Sequence, residues 1–320
     1  MDYHKIFSDY IDNQSINKNP KTLYEPIEYI LSLGGKRIRP TLTLMGCDVF
    51  GEQVEKALPA AMAVEVFHNF SLIHDDIMDR APLRRGHQTV HEKWDLNTGI
   101  LSGDAMLILA YRYFEHYEPE IFAELAKLFS KTALEVCEGQ QWDIDFETSD
   151  EVSIEQYLKM IEYKTAVLVG AALQMGAIVA KTSAANKKAI YDFGLNLGIA
   201  FQLQDDYLDA FGNPETFGKQ VGGDIIENKK TYLYLKALEL ASQQEKEQLL
   251  YLYSIKSEDN QDKIELVKKV FETSRATDAT QKAIAEYTQK AFDVLNAMDI
   301  ASAKKGQLRM FGEGLMNRIV

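Results

Sequence analysis

The chain has 320 residues, 46% of them hydrophobic, with a formal net charge of −13. That is ample apolar material for a sizeable core, and an acidic balance that argues against nucleic acid or an anionic membrane as the main partner. Two cysteines, Cys47 and Cys137, make neither a disulfide framework nor a metal-ligand pattern, which suits a reducing compartment. Met1-Asp2-Tyr3-His4-Lys5 leads into polar residues rather than an apolar signal core, and no run of about 18 uncharged apolar residues could span a membrane. A soluble, cytoplasmic protein is expected.

Apolar residues recur with helical rather than strand periodicity. Thr22 to Leu33 reads as a helix closed by Gly34-Gly35, and Pro40 is placed to open the next, which runs to about Val49. Leu58 to Asp79 is a long apolar helix, followed by a loop from Arg80 to Thr89. Helices are predicted from about Thr98 to Tyr117, from Pro119 to Trp142 and from Ser153 to Ala180. The last of these is rich in small residues (Gly170, Ala171, Ala172, Gly176, Ala177) that allow close packing. Lys187 to Phe211 is helical, Gly218 to Lys230 is a Gly- and Lys-rich loop, and a helix follows from Thr231 to about Ala241. The more polar remainder reads as shorter surface helices. No linker divides the chain, so the expectation is one all-α domain, residues 1–320, of ten or more helices.

Two stretches stand out. Asp75-Asp76-Ile77-Met78-Asp79 ends one apolar helix, and Asp205-Asp206-Tyr207-Leu208-Asp209 stands 130 residues later near the end of another. On a helix, positions i, i+1 and i+4 fall within an arc of about 100° and a rise of about 6 Å, so each set of carboxylates shares one face. Both sets lie near a helix C-terminus, where the macrodipole disfavours negative charge. A divalent cation resolves that crowding, and carboxylate oxygens suit Mg²⁺, which completes its shell with water and phosphate. Basic residues gather on loops: Lys36, Arg37 and Arg39; Arg84 and Arg85; Lys219, Lys229 and Lys230. Such groups bind phosphate well, and neighbouring glycines let an anion approach closely. A polyphosphate bridged to carboxylates by Mg²⁺ and clamped by Lys and Arg is the arrangement these features suggest. Lys164-Thr165 interrupts an otherwise apolar helix, where a lysine must reach solvent or an anion. Gln202 precedes Asp206 by four residues and so falls on the acidic face. His68, His74, His87 and His91 form no zinc pattern, and neither a phosphate loop nor a dinucleotide fingerprint is present.

These residues closely resemble the trans-isoprenyl diphosphate synthases, the farnesyl and geranylgeranyl diphosphate synthase family. The likeness runs through Gly34 to Pro40, His74 to Gly86, Lys164-Thr165, Phe201 to Asp209 and Gly218 to Asp224, with a weaker match at Gly139-Gln140 and Asp143. It implies an all-helical fold around a deep central cavity, a homodimer, and a Mg²⁺-dependent head-to-tail condensation with three ions per active site. By this resemblance the metal set is Asp75, Asp76, Asp79, Asp205, Asp206 and Asp209, of which Asp75, Asp79 and Asp205 hold the ions directly. Arg84, Lys164 and Lys219 would touch the allylic diphosphate (dimethylallyl, geranyl or farnesyl). Lys36, Arg39, His68 and Arg85 would bind isopentenyl diphosphate. Thr165 and Gln202 would line the reacting centre, and Lys229 would lie near metal and diphosphate. A terpene cyclase and a non-catalytic synthase subunit are the alternatives, but the second complete acidic motif and the separate Lys36/Arg39 loop favour the elongating enzyme.

Product length also has a sequence reading. On an ideal helix Ser71 and His68 align with Asp75, whereas Phe67 is about 80° and Phe70 about 140° away. Geometry alone would not select Phe70. The resemblance does, because a bulky residue five positions before the motif is a recurrent chain-length stop in the family. With Ser71 small and the motif lacking an insertion, geranylgeranyl diphosphate is the expected product and farnesyl diphosphate the alternative.

Overall fold

The computed structural model describes residues 1–14, 16, 18–149, 151–213, 221–255 and 260–317. The all-α expectation is borne out, with more than ten helices. Two compact units are distinguished: residues 1–130 with 171–190, and residues 131–170 with 191–320.

The first unit opens with a helix the sequence reading passed over, α1 (Tyr3–Asp12). Its signal is local: Asp2 caps it by accepting the Lys5 amide at 2.9 Å, and Phe7 is buried. Then come α2 (Lys21–Ser32), α3 (Ile38–Asp48) and α4 (Leu58–Met78). Pro40 sits in the first turn of α3 rather than at its first residue, a position where the missing N–H costs nothing. Arg37 precedes α3 in a left-handed conformation, φ 45°. Its guanidinium turns inward to the buried Glu65 and to the Leu31 carbonyl, tying the end of α2 to α4. Arg37 is therefore a structural ion pair rather than one of the phosphate-binding group in which the sequence placed it.

The 80–89 loop contains a two-residue-stranded hairpin, β1 (Leu83–Arg84) and β2 (His87–Gln88). Its turn, Arg85-Gly86, has φ of 53° and 77°, the pair of positive values that a type I′ turn requires. Short α5 (Val90–Lys93) leads to α6 (Leu96–Tyr113), which packs along α4. Small residues set that closeness: a Cβ on Gly103 would lie 2.3 Å from His74 Nε2.

Three long or interrupted helices cross the unit boundaries: α7 (Pro119–Thr148), α9 (Val167–Val179) and α10 (Ala184–Phe211). Helix α7 continues six residues past the predicted end at Trp142. Within the first unit, Gly46 of α3 and Gly176 of α9 allow backbone contact. A Cβ on Gly46 would be 2.2 Å from the Leu173 carbonyl oxygen, and one on Gly176 2.1 Å from that of Thr43. The small-residue stretch thus has the packing role expected of it.

In the second unit the predicted continuous helix from Ser153 is interrupted. Helix α8 (Ile154–Ile161) begins with a Ser153/Gln156 capping box and passes into a π turn over Glu162–Ala166 before α9. After α10 come α11 (Gly223–Ile226), α12 (Tyr232–Leu240), α13 (Gln243–Ser254), α14 (Asn260–Thr273), α15 (Ala276–Ala297) and α16 (Ser302–Met316). The C-terminal region is less superficial than its polarity suggested. Helix α15 has 22 residues and packs Ala291, Phe292 and Leu295 into the interior.

Candidate active site

In the first unit α4 delivers the first acidic motif. Asp75 and Asp76 occupy the last turn and Asp79 is the C-cap, its amide donating to the Asp75 carbonyl at 2.9 Å. Asp76 is 1% exposed, and burial raises its pKa above the ordinary carboxylate range against the opposing pull of Arg84. Arg84 Nε donates to Asp76 Oδ1 at 2.8 Å, and Arg84 Nη2 lies 3.7 Å from Asp75 Oδ2. Asp76 Oδ2 is shielded from solvent and has no hydrogen-bond partner among the described residues. A shielded anionic oxygen with an open lone pair fits a cation or its bound water.

The hairpin connects this acidic end to a basic one. Arg85 Nη1 donates to the Gly34 carbonyl, and the Gly35 α-carbon lies so close to the Arg85 guanidinium that a Cβ there would be 2.9 Å from Cζ. Gly35, at φ 127°, admits no other residue without strain. Arg39 Nη1 contacts His68 Nε2 at 3.2 Å, and Arg39 Nε is shielded without a partner. Burial pushes the His68 pKa well below its usual value, and Arg39, Arg85, Arg84 and Arg37 push it the same way. Burial likewise lowers the pKa of Arg39 and Arg85. So much positive charge around a neutral imidazole is a site that gains stability from an anion. Lys36 is exposed on the same loop.

The second unit carries the other half of the predicted set. On α10, Gln202 Nε2 donates to Asp206 Oδ1 at 2.9 Å, and Gln202 Oε1 accepts from Thr165 Oγ1 at 3.1 Å. Tyr157, which the sequence reading missed, donates its hydroxyl to Asp206 Oδ2. Asp206 is 7% exposed, and burial followed by the nearby charge of Asp224 raises its pKa well above normal. Lys164 in the π turn pairs with Asp143 of α7. Gly139 makes that approach possible, because a Cβ there would sit 2.2 Å from the Lys164 amide nitrogen. A π turn is a frequent device for re-aiming side chains at functional sites.

Not every predicted residue presents itself in the same way. Asp209 is buried and its Oδ2 accepts the Asp224 amide at 3.0 Å, capping α11. Lys229 pairs with Glu227 at 3.2 Å. Lys230 bonds the carbonyls at the end of α7, Phe146 among them at 2.6 Å, and so serves as a helix C-cap. Lys219 lies outside the described residues. Among the described residues no three His, Cys, Asp or Glu side chains are arranged to enclose a metal ion by themselves. Any cation here would therefore draw further ligands from water or substrate, as Mg²⁺ characteristically does. Asp224 closes the Gly218–Asp224 stretch of the family likeness, whereas Tyr157 could have been suspected only from its place in the helix leading to Lys164-Thr165.

The model of the polyprenyl synthetase family matches residues 20–271. A short chain isoprenyl diphosphate synthase of Methanothermobacter thermautotrophicus is 34% identical, covering 99% of this chain and 98% of its own. Among solved structures, a geranylgeranyl pyrophosphate synthase superposes with a TM-score of 0.95 at 54% identity, covering 99% of this chain and 98% of that one. A geranylgeranyl pyrophosphate synthase of Corynebacterium glutamicum, solved with isoprenyl diphosphate and magnesium, has a TM-score of 0.85 at 27% identity and covers 99% and 96%. The chain belongs to the polyprenyl synthetase family.

Proposed function

We propose that this chain is a Mg²⁺-dependent trans-prenyltransferase that condenses isopentenyl diphosphate head-to-tail with allylic diphosphates, yielding chiefly geranylgeranyl diphosphate. The observation that carries the reading is the pairing of opposite needs within the first unit. Asp76 leaves a shielded carboxylate oxygen open to a cation, and Arg39 leaves a shielded donor open to an anion. A reaction between two diphosphates, one bound through metal and one bound directly, uses both.

Asp75, Asp76, Asp79, Asp205 and Asp206 are the residues proposed to hold Mg²⁺, directly or through its water, with Asp209 supporting from the α11 cap. Bound there, Mg²⁺ supplies charge neutralisation to the departing diphosphate, which is the largest electrostatic demand of the reaction. Arg84 and Lys164, joined by Lys219 and Lys229, add positive charge on the allylic diphosphate. Lys36, Arg39, His68 and Arg85 bind isopentenyl diphosphate by charge-assisted hydrogen bonds. Breaking the allylic C1–O bond releases diphosphate and leaves a cation that the C4 carbon of isopentenyl diphosphate captures, and transfer of a C2 proton to the departing diphosphate restores the double bond. Thr165 and Gln202 are proposed to line the reacting centre, where their side-chain oxygens would stabilise that electron-poor carbon. The Gln202 amide is held in one orientation because its nitrogen is committed to Asp206. The relatives' names support the substrate class: one is a short chain isoprenyl diphosphate synthase and two are geranylgeranyl pyrophosphate synthases.

The same proposal takes residues 1–320 as one domain, since the family match runs through parts of both units. It places the protein in the cytoplasm, where the free thiols of Cys47 and Cys137 are at home. It also makes the protein a homodimer. Helix α6 turns Leu101 and Ile108, 59% and 60% exposed, to the outside one above the other, with the exposed Ile100 on the adjoining side. A second copy of the same helix is the partner whose chemistry matches this stripe. The deciding assay is incubation with radiolabelled isopentenyl diphosphate and each allylic primer in turn, with Mg²⁺, followed by sizing of the products. Twenty-carbon diphosphate from every primer supports the proposal. Product from an allylic diphosphate alone would identify a cyclase instead.

A further inference from the structure

A residue outside both acidic motifs holds the buried centre of the second. Tyr157 is 2% exposed, and its hydroxyl donates to Asp206 Oδ2, while Gln202 Nε2 donates to Oδ1 at 2.9 Å. Among the described residues each oxygen of Asp206 thus has one donor. A carboxylate offers about four lone-pair sites, so one on each oxygen stays available. The equivalent acid of the first motif, Asp76, is held instead by the guanidinium of Arg84. The difference is one of charge. Arg84 brings a positive charge to the acid it binds, whereas Tyr157 and Gln202 are neutral donors that fix the Asp206 carboxyl group without adding an opposing charge.

The bonds also form a chain that starts and ends on one stretch of backbone. Thr165 Oγ1 donates to Gln202, Gln202 to Asp206, and Tyr157 to Asp206. Tyr157 lies on α8 and Thr165 in the π turn that continues it, so that element grips α10 at two points. The capping box at Ser153 starts α8, and the Tyr157 ring packs 6.2 Å from that of Tyr232, so the hydroxyl has little freedom to leave.

We propose that Tyr157 is a positioning residue for cation binding at the second acidic motif, locking the Asp206 carboxyl group in one orientation without placing a positive charge beside it. The inference rests on the reading of the acidic motifs as divalent-cation sites. Residues that orient a metal's ligands typically contribute about 10–100-fold to metal affinity.

The test is Mn²⁺ uptake, followed by loss of the free-ion electron paramagnetic resonance signal, with and without inorganic pyrophosphate. It compares the wild type with Tyr157→Phe, Asp206→Asn, the double variant and Asp205→Ala. Tyr157→Phe keeps the ring and its packing, and its melting temperature reports the fold. The expected result is Mn²⁺ binding weakened about tenfold in Tyr157→Phe, with no further weakening when Tyr157→Phe is added to Asp206→Asn. The Mg²⁺ concentration for half-maximal turnover should rise in parallel, with the Michaelis constant for isopentenyl diphosphate unchanged. Wild-type Mn²⁺ affinity in Tyr157→Phe, with or without a lower melting temperature, would reduce the bond to a structural one and overturn the inference. Wild-type Mn²⁺ affinity in Asp205→Ala would overturn the cation reading itself and the inference with it.

Discussion

His68 stands among Arg37, Arg39, Arg84 and Arg85, and burial together with those charges keeps its imidazole neutral at pH values where a free histidine would titrate. The consequence for stability has a definite sign. Above about pH 6.5 the imidazole is neutral in the folded and unfolded chains alike. Below it the unfolded chain takes up a proton that the folded protein resists, so folding stability falls as pH drops. The melting temperature should therefore decline more steeply from pH 7 to 5 in the wild type than in His68→Gln, and parallel profiles would refute the assignment. Arg39 carries the complementary prediction. Its Nη1 is engaged by His68 while its Nε is shielded with no partner, so a ligand oxygen is the acceptor it lacks. Arg39→Ala should raise the Michaelis constant for isopentenyl diphosphate about tenfold or more, at about 1.4 kcal/mol per factor of ten, and that for the allylic substrate far less. Equal rises for both substrates would remove Arg39 from the isopentenyl site.

The π turn shows how a helix can be legible in sequence while its useful irregularity is not. Apolar periodicity marked the stretch from Ser153 onward as helical, and Lys164-Thr165 drew attention as polar intruders. Nothing in those residues says that the hydrogen-bond ladder shifts there, because the shift depends on α7 coming close. Gly139 is what permits that approach, through a gap where a Cβ would be 2.2 Å from the Lys164 amide nitrogen. Gly139→Ala should push the two backbones apart, cost about 1–3 kcal/mol of stability, and lower turnover by moving Lys164 away from its position beside Asp143. A normally active, normally stable Gly139→Ala protein would show that the close approach is dispensable. Other elements divide the same way. The acidic helix ends were readable because three carboxylates on one face need a shared cause. The inward turn of Arg37 toward Glu65 was not, because a buried acid 28 residues away decides it. Lys230 looked like a phosphate ligand beside Lys229, yet its ammonium closes the carbonyl end of α7, a partner more than eighty positions distant in the chain. Helix α1 is different, because its signal was present: Tyr3, Ile6, Phe7, Tyr10 and Ile11 recur at helical spacing behind the capping residue Asp2.

Product length belongs to the whole molecule, because it is set by where the path for the growing tail ends. The first unit places an aromatic stack behind the first acidic motif. Phe70 lies edge-on to His74 at 4.9 Å and against Phe67 at 5.5 Å; Phe67 meets Phe129 at 5.0 Å, and Phe129 meets Phe114 and Tyr111. Phe67, Phe114 and Phe129 have no solvent exposure, whereas Phe70 keeps 9%. Phe70 is thus the outermost of these phenylalanines, at the end of the stack nearest the acidic motif, while Tyr111 at the far end is half-buried. Ser71, next to it, is small and turns its hydroxyl back to the His68 carbonyl at 2.8 Å, so it projects little into the space a tail would use. An ideal helical wheel put Phe70 about 140° from Asp75 and gave no reason to choose it. In the structure its ring meets His74, one position before the motif. Removing the outermost ring opens room at small cost, since Phe67 and the rings behind it still close the core. Phe70→Ala should lengthen the product beyond twenty carbons. Its stability loss should fall below the 3–5 kcal/mol typical of a wholly buried Phe→Ala change. Phe67→Ala should do the reverse, losing that full amount and adding less length, because its ring is backed on the far side by Phe129. Sizing the labelled products of both variants alongside their melting temperatures separates a floor from a core. An active, folded Phe70→Ala enzyme that still stops at twenty carbons would place the floor on another helix.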